Sequence, residues 1–133
     1  MATNGLILIV DPHRETREMY GDYFRYHGYA VAEAATSPEA LFLAAELEPE
    51  LVVTELSDEP EWLAAVRAIR RPGRSRPPAV IACSNSIDRR WPGAPPGVDV
   101  DRALPKPTSP RALLQVVRQL LGAGTMDAAL LAL

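Results

Sequence analysis

Four polar side chains of chemically useful types each stand at the end of an apolar run. They are Asp11 after LILIV (6–10), Glu55 in LVVTEL (51–56), Ser84 after AVIAC (79–83) and Lys106 after ALP (103–105). A pair of carboxylates suits a cation, an ammonium can balance their charge, and a hydroxyl can add a hydrogen bond. If the runs are parallel strands of one sheet, their carboxyl ends meet at one edge and the four side chains share it.

The lysine in this set is unusual for this chain. Of the 14 basic residues, 13 are arginine and only Lys106 is lysine. Because the chain uses arginine for its other cations, the lone lysine suggests a place where a compact ammonium is needed. The alternative is that Lys106 is an ordinary surface lysine. Any ion pair that it forms with Glu55 would then lie at the surface and stabilise the fold by about 1 kcal/mol or less.

Length and composition restrict the class of protein. The 133 residues suffice for one domain with a proper core, and the 47% apolar fraction is ordinary for a globular protein. A net charge of -3 argues against a nucleic-acid surface. The single cysteine, Cys83, excludes an internal disulfide and a cysteine-based metal site. With no signal-peptide pattern and no run of about 20 apolar residues, we expect a cytoplasmic protein that does not enter a membrane.

The apolar runs alternate with segments of helical spacing. A fifth run, YAVAEA, covers residues 29–34, and helical patterns cover residues 14–27, 37–48, 60–71 and 109–122. Such alternation is typical of a parallel sheet with helices on both faces. In the first helix we expect Met19, Tyr20, Tyr23 and Phe24 on the apolar face. Ser-Pro pairs open the second and fourth helical patterns, so Ser37 is predicted as a helix N-cap.

Two segments depart from this alternation. The prolines and glycines of residues 91–98 are incompatible with an ordinary helix, so the helix expected between the last two strands should be missing or shortened. Residues 122–133 form a C-terminal tail after a domain spanning 1–121. That tail could pack on the domain, lead into a further domain or mediate a homodimer.

The four polar residues and their surroundings resemble the receiver domain of bacterial two-component response regulators over roughly residues 5–121. LILIVDPHRETREMY resembles the first strand and helix, and PELVVTEL the phosphoacceptor strand. AVIACS resembles the fourth strand with its hydroxyl, and ALPKP the Lys-Pro signature. The resemblance implies a flavodoxin-like, doubly wound five-stranded parallel sheet in the order 2-1-3-4-5. It also implies that Glu55 occupies the phosphoacceptor position.

The chain departs from the family pattern at the residues that matter for phosphorylation. The resemblance implies two adjacent acids after the first strand, which hold Mg²⁺ with the acceptor aspartate, but the chain has Asp11-Pro12. Glu55 is one methylene longer than the acceptor, and Ala103 stands where the family usually has an aromatic ring. We therefore expect a degenerate phosphorylation site formed by Asp11, Glu55, Ser84 and Lys106, with no bound cofactor or metal and no catalytic activity.

Three functional hypotheses follow. The first is an atypical receiver that acts as a phosphorylation-independent protein-interaction module for a histidine kinase or an output protein. The second is a conventional phosphoacceptor receiver switched by a kinase. The third is a small α/β enzyme, which is disfavoured because no complete catalytic set is visible. His13 and His27 lack metal-ligand spacing and are interpreted as exposed helix-end residues.

Overall fold

The computed structural model describes residues 3–55, 60–70, 77–85 and 99–122. Within them lie five strands and four helices. The strands are β1 (Leu6–Val10), β2 (Ala30–Ala34), β3 (Leu51–Glu55), β4 (Ala79–Ser84) and β5 (Arg102–Pro105). The helices are α1 (Arg14–Tyr26), α2 (Ser37–Leu47), α3 (Pro60–Ile69) and α4 (Pro110–Leu121).

The strands form one parallel sheet in the order β2-β1-β3-β4-β5. This confirms the predicted sheet and its order. The register pairs Val10 with Thr54 and Glu55 with Cys83, so the ends of β1, β3 and β4 lie side by side. The order of the strands reverses between β1 and β3, which are neighbours in the sheet. In sheets of this type, ligands usually bind at the carboxyl ends of the strands beside that point.

Each face of the sheet has its own apolar core. Ile7 and Ile9 of β1 pack with Phe24 of α1 and Leu113 of α4 on one face. Leu8 and Val10 alternate to the other face, where they pack with residues of α2 and α3. Successive side chains of a strand point to opposite faces, so a strand that is buried on both faces is apolar at every position. The run LILIV predicted such a strand.

Helix α1 buries a narrower face than the sequence predicted. Tyr20 and Phe24 are buried one turn apart, but Met19 is 46% exposed. The assignment of Met19 to the apolar face is wrong because it precedes Tyr20 by one residue, which turns its side chain about 100° away around the helix. The helix ends at Tyr26 with His27 as its C-cap, and Gly28 follows with a positive φ of 91°. That conformation is ordinary for glycine after a helix.

The N-cap of α2 is Thr36, so the assignment of Ser37 is wrong. The Thr36 hydroxyl accepts a hydrogen bond from Glu39 N, and the Glu39 carboxylate accepts one from Ala35 N. This reciprocal pair resembles a capping box and fixes the start of the helix one residue earlier. Ser109 is the N-cap of α4, as its Ser-Pro start predicted, and accepts from Ala112 N at 3.1 Å.

Several predictions fall outside the described residues. These are the non-helical segment 91–98, with the missing or shortened helix between β4 and β5, and the tail over residues 123–133. The division into a domain over 1–121 and a tail over 122–133 therefore stays a prediction. None of the described helices combines the length and apolar character that a membrane crossing requires.

Candidate functional site

Two carboxylates and one ammonium meet at the carboxyl edge of the sheet. Lys106 Nζ lies 2.8 Å from Glu55 Oε1 and 3.0 Å from Asp11 Oδ2. The three side chains are only 5% (Asp11), 19% (Glu55) and 17% (Lys106) exposed. The structure therefore brings together the side chains of Asp11, Glu55 and Lys106, as the sequence predicted, in a largely desolvated cluster with one cation and two anions.

The sheet holds each residue of this cluster in place. Asp11 directly follows β1, and its N–H donates to Ala34 O at 3.0 Å. Glu55 is the last residue of β3. Lys106 directly follows β5, and its N–H donates to Ser84 O at 3.0 Å. The side chains are thus fixed by the register of the strands rather than by a loop.

Ser84 lies at the end of β4 and is buried. Its carbonyl oxygen accepts the bond from Lys106 N, so it helps to position the lysine through the main chain. The hydrogen bond that the sequence predicts from its hydroxyl stays a prediction.

The ionisation of Lys106 follows from its neighbours. Burial alone would lower the pKa of Lys106, but hydrogen bonds to Glu55 and Asp11, together with their negative charges, outweigh burial and raise the pKa above its ordinary value of 10.5. The lysine is therefore a permanent cation at physiological pH, and it balances one of its two acidic neighbours.

Two further residues support the cluster, and the sequence reasoning missed both. Arg17 Nη1 donates to Asp11 O at 2.8 Å, while its Nε lies 3.4 Å from Glu33 Oε1, so Arg17 ties the end of β1 to β2. Tyr20 OH donates to Thr108 O at 2.6 Å and ties the chain just after Lys106 to α1. Helical spacing placed both on α1, but no sequence signal identified their distant partners.

His13 is also closer to the site than its assignment as an exposed helix-end residue indicated. It is the N-cap of α1 and its ring is 71% exposed, as that assignment expected. Its Nδ1, however, lies 3.2 Å from Asp11 Oδ1, and its backbone N–H donates to the same oxygen at 2.8 Å. An aspartate two residues before a helix start commonly accepts such a backbone bond, and this signal in Asp11-Pro12-His13 could have identified the contact.

Cys83 lies beside the site in the register but does not take part in it. It is 3% exposed, and burial raises the pKa of its thiol to about 12. The cysteine is therefore a small core residue and not a reactive nucleophile.

The arrangement of this site fits Mg²⁺ poorly. Mg²⁺ prefers near-octahedral oxygen ligands and usually takes carboxylates with several waters. Both Asp11 and Glu55 already accept hydrogen bonds from Lys106, and the side chain of Pro12 offers no ligand atom. Among the described His, Cys, Asp and Glu side chains, the one that joins the two carboxylates is the imidazole of His13, which is a nitrogen donor.

Comparison with solved structures defines the class of protein. The chemotaxis response regulator CheY4 of Vibrio cholerae is 21% identical and superposes with a TM-score of 0.72, covering 86% of this chain and 97% of that one. A receiver domain from Bermanella marisrubri is 19% identical with a TM-score of 0.74, covering 90% and 99%. The anti-anti-sigma factor PhyR of Bartonella quintana is 21% identical with a TM-score of 0.71, covering 100% of this chain and 53% of that one. The fold is that of a receiver domain.

Sequence relatives point to the same kind of domain. The response regulator MprA of Mycobacterium sp. strain KMS is 34% identical over 116 residues, which are 86% of this chain and 50% of MprA. MprA proteins of strains JLS and MCS match equally well. No family model matches the chain. Sequence and fold together support a response-regulator receiver domain, and the chain spans about half the length of the curated relatives it matches.

Proposed function

We propose that this receiver domain acts as a signalling and protein-interaction module whose output does not depend on a phosphorylation cycle. The observation that carries the proposal is the 2.8 Å contact between Lys106 Nζ and Glu55 Oε1, with Asp11 Oδ2 3.0 Å from the same nitrogen. Because one lysine faces two carboxylates, the cluster keeps a standing negative charge at the acceptor position.

The chemistry of phosphoryl transfer also favours this proposal. Transfer to a carboxylate requires an in-line approach of the donor, held to within a fraction of an ångström, and a metal ion that neutralises the developing charge. Glu55 extends one methylene beyond the length of an aspartate, so its oxygens stand in a different place from those of the family's acceptor. Because the site fits Mg²⁺ poorly, the requirement for a metal ion is not met either.

The switching element of the family is also altered. The resemblance to other receivers implies an aromatic residue three positions before the lysine, which changes its orientation on activation. Here that position is Ala103, in the middle of β5, opposite Ala82 of β4. An alanine has no side-chain rotamer to change, which favours a domain that holds one conformation.

Under this proposal the output comes through binding to a protein. The partner would be a histidine kinase or an output protein in the cytoplasm, and a second copy of the chain is the alternative. Copurification from the native cell with the chain as bait identifies the partner, and Glu55→Gln should change its recovery if the standing charge contributes to binding.

The test of the proposal uses a small phosphodonor. Wild-type protein is incubated with acetyl phosphate and Mg²⁺, and intact mass is recorded. We expect no mass increase of one phosphoryl group. The double variant Pro12→Asp/Glu55→Asp, which supplies a second acid and an aspartate acceptor, is the matched control and should gain the phosphoryl group. Stoichiometric labelling of the wild type would overturn the proposal in favour of a conventional phosphoacceptor receiver.

A further inference from the structure

His13 adds a nitrogen ligand to the two carboxylates of the site. Asp11, His13 and Glu55 each offer one ligand atom, and these three atoms all lie within 4.8 Å of one another. We propose that this set binds a divalent transition-metal ion of borderline softness, such as Zn²⁺, and that the ion takes the place of the Lys106 ammonium. The proposal goes beyond the proposed function and does not depend on it, since a metal could bind whether or not Glu55 accepts a phosphoryl group.

The distances on the His13 side already suit such an ion. His13 Nδ1 and Asp11 Oδ1 are 3.2 Å apart. Two ligands about 2.0–2.1 Å from a tetrahedral Zn²⁺ ion lie about 3.3–3.4 Å from each other. An ion could therefore bridge these two atoms with little movement of either. Glu55 would complete a set of three protein ligands by moving its carboxylate toward them, and a water could take the fourth position.

The ligand types select the class of metal. Imidazole suits zinc, copper and nickel, whereas magnesium and calcium prefer oxygen ligands. A set of one imidazole and two carboxylates therefore favours a transition metal over Mg²⁺. Compared with the pattern expected of a receiver, the chain thus lacks an acid at Pro12 and has a nitrogen donor at the next residue, His13.

The backbone prepares His13 for this role. Its N–H donates to Asp11 Oδ1 at 2.8 Å, which holds the residue beside the carboxylate at the start of α1. The Asp11 carbonyl is held in turn by Arg17. Because the His13 ring is 71% exposed while the carboxylates are mostly buried, an ion can reach the site from solvent and then become partly desolvated.

Lys106 is the competitor for this ion. It hydrogen-bonds to both carboxylates, and the positive N-terminal end of α1 adds a further cost for a cation. We therefore expect a moderate affinity in the wild type and a tighter one when the ammonium is removed. Binding would release Lys106 from Asp11 and Glu55, which gives the domain an input that requires no phosphoryl group.

The experiment titrates Zn²⁺ alone into the wild-type protein by calorimetry, with Co²⁺ as a spectroscopic substitute. We expect one saturable ion per chain and visible Co²⁺ absorption bands of nitrogen and oxygen ligation. His13→Ala should weaken binding by more than the about tenfold that loss of an outer-shell partner costs. His27→Ala, which removes the other histidine of the chain at the opposite end of α1, is the matched control and should leave the affinity unchanged.

Lys106→Met provides the second, opposite readout. Removing the competing ammonium should tighten Zn²⁺ binding, and a gain of affinity is not produced by misfolding. Three results would overturn the proposal: no saturable binding to the wild type, equal losses in His13→Ala and His27→Ala, or an affinity in Lys106→Met no higher than in the wild type. The first two would mean that any ion is adventitious, and the third that the ion does not replace the lysine.

Discussion

Lys106 Nζ lies 2.8 Å from Glu55 Oε1, and the same nitrogen lies 3.0 Å from Asp11 Oδ2. The relationship is therefore one ammonium shared by two carboxylates and not an isolated pair. The three residues are unequal members of this cluster because each carboxylate contacts the same ammonium, whereas Lys106 contacts both carboxylates. Removing the lysine leaves two acids facing each other, but removing one acid leaves a balanced pair.

This asymmetry predicts different costs for the two single substitutions. Glu55→Gln should lower the free energy of unfolding by less than about 1 kcal/mol, because Lys106 keeps its contact with Asp11. Lys106→Met should lower it by about 2–4 kcal/mol, between the values for exposed and buried ion pairs, because two largely buried carboxylates lose their counter-ion. Urea unfolding of both variants at pH 7 measures the difference.

The double variant Glu55→Gln/Lys106→Met completes the cycle. It should be more stable than the sum of the single losses indicates, since removing the Glu55 charge relieves the repulsion that Lys106→Met creates. Arg14→Met, which breaks the exposed pair between Arg14 and Glu18 on α1, is a suitable control for removal of a cation and should change stability little. Strictly additive losses in the cycle would mean that Glu55 and Lys106 do not interact.

The second prediction concerns Mg²⁺. Backbone amide shifts of Asp11 and Glu55 should show no saturable change on titration to about 20 mM Mg²⁺, because two carboxylates beside an imidazole and an ammonium supply too few oxygen ligands for this ion. In Pro12→Asp/Glu55→Asp the same titration should saturate. Saturation of the wild type at low millimolar concentration would show that Lys106 yields its place to a hard ion.

The fold could be predicted from the sequence because its determinants are local. LILIV is apolar at every position, so a strand buried on both faces was the straightforward interpretation, and Ser109 with Pro110 marked the start of α4. The strand order came from the resemblance at the strand ends and not from periodicity. The N-cap of α2 was predicted wrongly because two adjacent residues, Thr36 and Ser37, can both cap a helix. Met19 was assigned wrongly because a displacement of one residue along a helix moves a side chain to a different face.

The site could be predicted only in part. Strand ends in a parallel sheet share an edge, so the meeting of Asp11, Glu55 and Lys106 followed from topology. The contact of His13 with Asp11 depends on the turn between β1 and α1, and the contact of Tyr20 with Thr108 joins residues 88 positions apart. The first contact has a local signal in Asp11-Pro12-His13. The second is a single long-range hydrogen bond, which leaves no pattern along the sequence.

The third prediction concerns the reactivity of Cys83. With the pKa of its thiol at about 12, its thiolate fraction at pH 8 is lower by about three orders of magnitude than that of an ordinary exposed thiol. Native protein should therefore react with a disulfide reagent such as DTNB far more slowly than the same protein in urea. Equal rates in the two conditions would show that the carboxyl end of β4 is open to solvent, which would contradict the burial of the whole site.

The last prediction concerns the tie between α1 and the chain after Lys106. Tyr20 is 6% exposed, and its hydroxyl donates to Thr108 O at 2.6 Å, two residues beyond the lysine. Tyr20→Phe keeps the ring in the core but leaves a carbonyl without this donor, so stability should fall by about 1–2 kcal/mol. The amide shifts of Lys106 and Thr108 should change as well, because the lysine loses part of its support. Tyr23→Phe, which removes a hydroxyl from a half-buried ring on the same helix, is the matched control. Equal effects of the two variants on stability, or unchanged shifts at Lys106 in Tyr20→Phe, would mean that Tyr20 contributes packing alone and does not position the site.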